Sequence, residues 1–330
     1  MIFHPSVIAL ILSSLLTSAM VIYSSFFGLQ ILRRWDIKSG SEIQLNLERK
    51  TYLISTILGY AFGFELLSLF LFIYTADNLH NIFVGAMCAA GTLNVNRYGY
   101  PALILKVIVF LSAGLWLIVN IVDNRGYDYP LIRIKYTLLL IIAPFFLSET
   151  VLLIKYISGL RADVITSCCG ALFSSDRQGL VSELVSLPTG PTRVAFFTSI
   201  TATIISGLFF YRRGKGVYIF SSLSVISFVV SIIAIISFIS LYFYELPTHH
   251  CPFCLFQREY NYAGYPLYLS LFTATICGTG AGILTPFRNR ESLKEVIPSV
   301  QKKLTVTAII TYIIFLVISI YPLIFSDFNM

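Results

Sequence analysis

Charged residues are scarce in this chain, and long linkers, internal repeats and low-complexity tracts are missing. Asp, Glu, Lys and Arg make up only 12% of the 330 residues, whereas hydrophobic residues make up 57%. A soluble protein of this length needs a far more polar surface. The shortage of charge therefore excludes an ordinary soluble protein.

A patch of basic residues with interleaved aromatic residues is also missing, although the net charge is +7. The basic residues occur instead in short clusters between apolar runs. In polytopic membrane proteins such clusters fix the orientation of the chain. We therefore expect membrane lipid around the protein and no nucleic acid as a partner.

Apolar stretches of about 20 residues predict eight transmembrane spans. Helices are the expected spanning structure, because lipid cannot satisfy exposed backbone groups. The first stretch lacks a preceding basic region and a cleavage site, so we predict a retained helix rather than a signal peptide. The predicted fold class is all-α, a polytopic membrane helix bundle. The spans cover residues 6–32, 51–76, 101–123, 136–157, 193–211, 217–245, 265–286 and 304–325.

Basic residues predict which loops face the cytoplasm. Four alternate loops hold most of the 23 Lys and Arg residues, and the positive-inside rule places these loops in the cytoplasm. Both termini are then expected outside, in a cell membrane whose active face is extracytoplasmic. The four loops are 33–50, 124–135, 212–216 and 287–303, and the second contains Arg125, Arg133 and Lys135.

The four basic loops contain no cysteine and no histidine. Five of the six cysteines fall in the opposite loops, where an oxidising compartment turns paired cysteines into disulfides. The outer face is therefore predicted to carry the chemistry. The outer cysteines are Cys88, Cys168, Cys169, Cys251 and Cys254, and Cys277 lies within the seventh span.

Cys251 and Cys254 form a Cys-x-x-Cys pair, which closes too small a loop to stabilise a fold through chain entropy. Such pairs are used for thiol–disulfide exchange more often than for stabilising a fold. Pro252 fits the first turn of a helix, which would place Cys251 at a helix N-terminus and stabilise its thiolate. On that helix Arg258 would share a face with Cys254. Its positive charge would lower the pKa of the Cys254 thiol, so that Cys254 attacks a disulfide faster near neutral pH. Alternatively, Arg258 only anchors the helix at the lipid headgroups.

The run "CPFCLFQR" from Cys251 to Arg258 resembles the signature of the bacterial disulfide-bond protein B family. In that family the run opens a transmembrane helix, its dithiol passes electrons to a bound quinone, and the Arg lies close to the quinone. The resemblance implies that Cys251 and Cys254 are the redox pair. It also implies that Arg258, Gln257 and His250 lie near a quinone, and that an extracytoplasmic thioredoxin-like or other thiol protein is a partner.

The order of the cysteines is similar to that in relatives of vitamin K epoxide reductase, which carry shuttle cysteines in an earlier outer loop. This likeness implies a core of spans four to seven, with Cys168 and Cys169 as the shuttle. The relatives separate their shuttle cysteines, whereas these two are adjacent, and a disulfide between adjacent cysteines is strained and easily reduced.

The loop 124–135 separates the first three predicted spans from the last five. We predict an N-terminal three-helix membrane region over 1–123 and a five-helix membrane region with the redox core over 124–330.

Two further features carry chemistry. The segment around Cys88, "VGAMCAAG", is rich in small residues and predicts close packing, with Cys88 either a third redox partner or part of a packed turn. Glu65, Lys106 and Glu149 fall inside predicted spans, where charges usually face an interior. We expect an ion pair between Lys106 and Glu149 that either carries protons, lines a substrate pocket or only stabilises the fold.

Three functions remain open. The first is a membrane thiol–disulfide oxidoreductase linked to a quinone. The second is a protein that handles copper or a similar ion through His249, His250, Cys251 and Cys254, with or without Cys168 and Cys169. The third is a transporter in which the disulfides only stabilise the fold. Gln257 and Arg258 favour the first, because metal capture needs no arginine and positive charge opposes cation binding.

Overall fold

The structure is a computed structural model that describes residues 4–37, 39–161, 163–166 and 187–326. All regular elements in these ranges are helical, which confirms the predicted all-α class. The α-helices are α1 (Pro5–Arg34), α2 (Glu42–Asn78), α3 (Ala89–Leu93), α4 (Gly99–Asp123), α5 (Ile132–Ser158), α6 (Thr189–Arg213), α7 (Val217–Ala234), α8 (Ser240–Tyr244), α9 (Gly264–Ile283) and α10 (Val296–Phe325).

Eight helical segments in the described part of the chain are long and apolar enough to cross a membrane. Their number and order agree with the prediction from apolar run length, so the chain is a multi-pass membrane protein. The fifth span is longer than its apolar run, because α6 has 25 residues. The side of the membrane on which the termini lie stays a prediction.

The described residues form two compact units. The first takes its residues from 1–73, 96–160 and 286–300, and the second from 74–95, 161–285 and 301–330. The fourth span, which the sequence analysis grouped with the C-terminal region, lies in the first unit.

In the first unit, α1 and α4 both pack on α5. The core is aromatic where the α2 residue Phe62 meets α4 and α5. The Phe62 ring lies 4.8 Å from the ring of Trp116 and 4.9 Å from that of Phe146, measured between centroids. Large rings that are buried together in this way contribute both area and edge-to-face attraction to the packing.

The position of Lys135 changes the count of basic residues in the loop 124–135. It was counted among the basic residues of the loop 124–135, but it lies inside α5 and its side chain is 0% exposed. Its Nζ atom forms an ion pair of 2.7 Å with Asp123 Oδ2. Asp123 cancels the charge of Lys135, so the positive-inside rule should count only Arg125 and Arg133 for this loop.

In the second unit, α7 packs between α6 and α9. Small residues on α9 allow this close approach. A Cβ atom at Gly278 would lie 2.1 Å from Ser224 Oγ, and one at Gly282 would lie 2.4 Å from Ser221 Oγ. The helix that begins with α7 continues through a π-helical segment, Ile235–Ile239, into α8.

Candidate functional site

Cys88 lies in a segment that packs very closely, as predicted. Gly85 has a φ of +88°, and a Cβ atom there would lie 2.3 Å from the carbonyl oxygen of Thr166, so the position requires glycine. The Thr166 hydroxyl donates to the carbonyl of Gly91 at 2.9 Å. Cys88 caps the short helix α3 by accepting a hydrogen bond from the backbone N–H of Ala90. These contacts hold the Cys88 side chain in a fully buried position.

The Cys-x-x-Cys segment is an irregular loop with two 3-10 turns, Cys254–Phe256 and Arg258–Tyr260. The α-helix of the seventh span, α9, begins only at Gly264. The prediction that Cys251 lies at a helix N-terminus is therefore wrong. The helical face that Cys254 and Arg258 were expected to share does not exist either.

Two local features explain why the helix starts late. Asn261 and Tyr262 adopt left-handed conformations with φ of +52° and +55°, which interrupt a right-handed helix. Gly264 lets the loop fold back onto the start of α9, because a Cβ atom there would lie 3.0 Å from the backbone of Leu255. The loop is further held by Tyr244, whose hydroxyl donates to the carbonyl of Cys251 at 2.6 Å.

Cys88 and the Cys-x-x-Cys pair form one buried sulfur cluster. The Sγ atoms of Cys88 and Cys251 lie 3.6 Å apart, and all three Sγ atoms, with that of Cys254, lie within 4.8 Å of one another. A covalent disulfide needs about 2.05 Å, so a shift of about 1.5 Å would join Cys88 to Cys251. The packing thus brings together thiols that are 163 positions apart in the chain.

His249 adds a proton-accepting group to the sulfur cluster. Its Nε2 atom lies 3.3 Å from the Sγ atom of Cys254. Burial lowers the pKa of His249 below its ordinary value, so the imidazole is neutral near neutral pH. A neutral imidazole at hydrogen-bond distance can take the thiol proton of Cys254.

Gln257 connects the Cys-x-x-Cys loop to the Cys88 segment. Its Nε2 atom donates to the carbonyl oxygen of Met87 at 2.8 Å and lies 3.3 Å from Asp77 Oδ1. The same Asp77 oxygen accepts the backbone N–H of Ala89 at 3.2 Å. Both residues next to Cys88 are therefore tied to one carboxylate–amide pair. Sequence reasoning missed Asp77, because a polar residue at the end of a span gives no sign of its partner.

Replacing Gln257 with Met removes both donated hydrogen bonds and keeps the side-chain length. We expect the Cys88 segment to loosen, which lowers the yield of an oxidant-induced Cys88–Cys251 crosslink several-fold, since a lost hydrogen bond costs about 1 kcal/mol. Non-reducing peptide mapping measures that yield. Arg258→Met, at the exposed neighbouring position, is the matched control and should crosslink like the wild type. An unchanged yield in Gln257→Met would show that the amide does not position Cys88.

His250 has a structural partner, and its expected nearness to a quinone stays a prediction. Its Nδ1 atom donates to the carbonyl oxygen of Ile236 at 3.0 Å, inside the π-helical segment. A π-helix shifts its backbone pairing by one residue, and such segments are frequent at functional sites. His250 therefore fixes the loop to the sixth span, one residue away from Cys251.

Arg258 is exposed at the end of the loop. Cys168 and Cys169, the predicted shuttle pair, lie outside the described residues. Cys277 lies in the packed interior against α7 and is not part of the sulfur cluster. Of the predicted site residues, the structure thus brings together Cys88, Cys251 and Cys254.

A cavity of about 540 Å³ lies beside the loop in the second unit. Its lining is largely apolar and aromatic, and Arg258, Gln257 and His250 are not among the described residues that form it. Tyr260, on its wall, packs against Tyr244 with ring centroids 4.6 Å apart. The side chains that line it include Tyr242, Tyr260, Pro266, Ile318, Tyr321 and Phe325.

Arg193 places a positive charge next to this cavity. It donates a hydrogen bond to the hydroxyl of Tyr242, and its guanidinium lies 5.1 Å from the centroid of the Tyr242 ring. Sequence reasoning missed Arg193, because the sequence shows it only as the first residue of the fifth predicted span. A single arginine at a span boundary is usually a headgroup anchor, so only the packing identifies its role.

Comparison of the chain with protein-family models, with curated proteins and with solved structures gives no match. The functional argument therefore rests on the geometry of the sulfur cluster and on the chemistry of its neighbours.

Proposed function

We propose that this protein is a membrane thiol–disulfide oxidoreductase in which Cys88, Cys251 and Cys254 exchange a disulfide. The observation that carries the proposal is the 3.6 Å separation of the Cys88 and Cys251 sulfur atoms inside a buried cluster. Thiol–disulfide exchange requires a third sulfur next to a disulfide sulfur. Cys251 meets this requirement, because its sulfur atom lies 3.6 Å from that of Cys88 and within 4.8 Å of that of Cys254.

The proposed exchange reversibly interconverts a disulfide between Cys88 and Cys251 and one between Cys251 and Cys254, and the quinone step below supplies the second. In the direction that closes the Cys251–Cys254 bond, the exchange starts from the Cys88–Cys251 disulfide. His249 takes the thiol proton of Cys254, and the resulting thiolate attacks the Cys251 sulfur. The Cys88–Cys251 bond breaks as the Cys251–Cys254 bond forms, and Cys88 leaves as a thiolate that takes up a proton. One disulfide is consumed and one is made, so the exchange itself needs no outside oxidant.

A quinone is the electron acceptor that the resemblance implies. When bound, it would accept the two electrons and two protons that are released as the thiols of Cys251 and Cys254 close to a disulfide. The cavity beside the loop suits an aromatic ring, because most of its wall is apolar or aromatic. Glu245 and Glu259 also line it, and Arg193 places a positive charge next to it. We propose that Tyr242, Tyr260 and Phe325 hold the ring there. This assignment replaces the quinone contacts expected of Arg258, Gln257 and His250.

The burial of the cluster supports a role for a shuttle. The sulfur atoms of Cys88 and Cys251 are fully buried, so an outside thiol protein cannot reach them directly in this conformation. An extracytoplasmic thioredoxin-like partner would need an intermediate thiol. Cys168 and Cys169 stay our prediction for that intermediate.

The central test counts thiols in isolated membranes. After complete reduction, addition of a soluble quinone should remove two alkylatable thiols from the wild type, measured by the gel shift of a mass-tagged maleimide. Cys251→Ser should lose none among the cluster thiols, because Cys251 is common to both proposed disulfides. Cys277→Ser, the matched control outside the cluster, should oxidise like the wild type. A reduced wild type that keeps all its thiols with quinone would contradict the proposal.

A soft metal ion is the second candidate, because three thiols within 4.8 Å of one another also suit Cu(I) coordination. The two functions give different results with the same variants. A metal site would bind one Cu(I) per chain in competition with a chelator, and each of the three cysteine-to-serine variants would weaken that binding. Oxidation by quinone would then be absent. The nearby His249 is equally compatible with both candidates.

A further inference from the structure

Three charged side chains meet inside the first unit. Lys106 Nζ lies 3.0 Å from Glu65 Oε1 and 2.9 Å from Glu149 Oε1, and all three side chains are at most 2% exposed. They come from three predicted spans, α2, α4 and α5. The predicted ion pair between Lys106 and Glu149 is therefore present, with Glu65 as an additional partner.

The charges of this cluster do not balance. Within the described part of the chain, two carboxylates share one ammonium group, so full ionisation leaves one negative charge in an apolar interior. An uncompensated buried charge costs several kcal/mol, whereas a proton on one carboxyl group removes it. The pair of Lys135 and Asp123 in the same unit offers a contrast, because there one cation meets one carboxylate.

Hydroxyl groups extend the cluster across a fourth helix, α1. Glu149 Oε2 accepts a hydrogen bond from Ser14 Oγ at 2.9 Å, Ser14 Oγ lies 3.0 Å from Thr150 Oγ1, and Thr150 Oγ1 lies 2.6 Å from Ser18 Oγ. Each hydroxyl both donates and accepts, so a chain of them can pass a proton. The chain ends on the carboxylate of Glu149.

Ser68 is a further polar group at the opposite end of the cluster. Its side chain is 3% exposed and faces the Glu65 carboxylate. In the described ranges its hydroxyl has no hydrogen-bond partner at normal distance and angle. A buried hydroxyl aimed at a carboxylate can donate to it or accept from its protonated form. This group is thus suited to a carboxyl that gains and loses a proton.

We propose that Glu65, Lys106 and Glu149 form a proton-carrying site within the membrane, loaded through the hydroxyl chain of Ser14, Thr150 and Ser18. In the loading step a new O–H bond forms at Glu149 Oε2 as the Ser14 O–H bond breaks. Ser14 regains a proton from Thr150, Thr150 from Ser18, and Ser18 from a water molecule, which leaves a hydroxide ion in the solvent. The groups that face the site are hydroxyls from α1, Glu65 and Ser68 from α2, Lys106 from α4, and Glu149 and Thr150 from α5. This site is independent of the thiol chemistry proposed above.

Infrared spectroscopy of the full-length protein in lipid nanodiscs tests this site. Near neutral pH the wild type should show the band of one protonated carboxyl group that shifts in D₂O. Glu65→Gln and Glu149→Gln should each abolish the band, because the remaining carboxylate then balances Lys106. Glu42→Gln, at an exposed position of the same unit, should keep it. Chromatography on each variant verifies that it is folded.

The rate at which the carboxyl proton exchanges with D₂O tests the hydroxyl chain. Ser14→Ala should keep the carboxyl band and slow its exchange with D₂O by roughly tenfold or more, because one hydrogen bond to a charged group is lost. Absence of the band in the wild type, or its persistence in both glutamine variants, would overturn the proton site. A wild type without the band whose stability rises with sodium but not with choline would show that a metal cation binds instead. Exchange unchanged in Ser14→Ala would overturn the relay.

Discussion

Replacing Cys254 with serine is expected to trap a disulfide between Cys88 and Cys251. In the wild type the Cys254 thiolate resolves this bond by attack on Cys251, and serine cannot perform that attack. The sulfur atoms of Cys88 and Cys251 are already 3.6 Å apart, so the bond should form in most molecules. Proteolysis followed by non-reducing mass spectrometry detects the crosslinked peptides.

Two variants serve as controls for this trap. Cys277→Ser leaves the sulfur cluster intact and should show no excess of the crosslink over the wild type. Cys254→Ser combined with Cys88→Ser should lose the crosslink entirely. If Cys254→Ser instead joins Cys251 to Cys168 or Cys169, the shuttle loop rather than Cys88 is the exchange partner. If Cys251 remains a thiol under oxidising conditions, the exchange sequence is wrong.

Replacing Lys106 with Met is expected to lower the free energy of unfolding by about 3–5 kcal/mol, because it leaves the ionised carboxylate of the cluster buried without its cation. The side chain is 1% exposed, so water cannot compensate for the loss. Reversible unfolding in detergent mixtures with increasing dodecyl sulfate measures the change. Lys302→Met, at an exposed position on α10, should change the stability little.

A charge-neutral variant separates the ionic effect from a packing effect. Adding Glu65→Gln and Glu149→Gln to Lys106→Met removes the unpaired charges, and the triple variant should recover most of the lost stability. No recovery would mean that the volume and shape of the lysine side chain matter more than its charge. A Lys106→Met protein as stable as the wild type would show that both carboxyl groups become neutral at little cost.

The membrane fold was predictable from the sequence because its cause is local. Backbone groups in lipid must be satisfied within each span, so the length of an apolar run is enough to indicate a helix. The eight spans follow from this constraint. Small residues likewise indicated the close packing around Cys88, since the absence of a large side chain is visible in the sequence itself.

The functional cluster was only partly predictable. The spacing of Cys251 and Cys254 indicates a dithiol, since it depends on four consecutive residues. The nearness of Cys88 depends on how α2, the loop and α9 pack, and hydropathy carries no information about that packing. The helical setting expected for Cys251 was wrong, because left-handed residues at 261 and 262 delay the helix.

The sequence by itself determined that this chain crosses the membrane as helices and that it carries a Cys-x-x-Cys pair between two spans. Only the tertiary structure decided which distant groups meet: Cys88 with Cys251, Gln257 with the Cys88 segment, and Glu65 with Lys106. The reason is that apolar spans tolerate many arrangements of equal hydrophobicity. The few polar groups among them select one arrangement, because each buried polar group requires a partner in a definite direction.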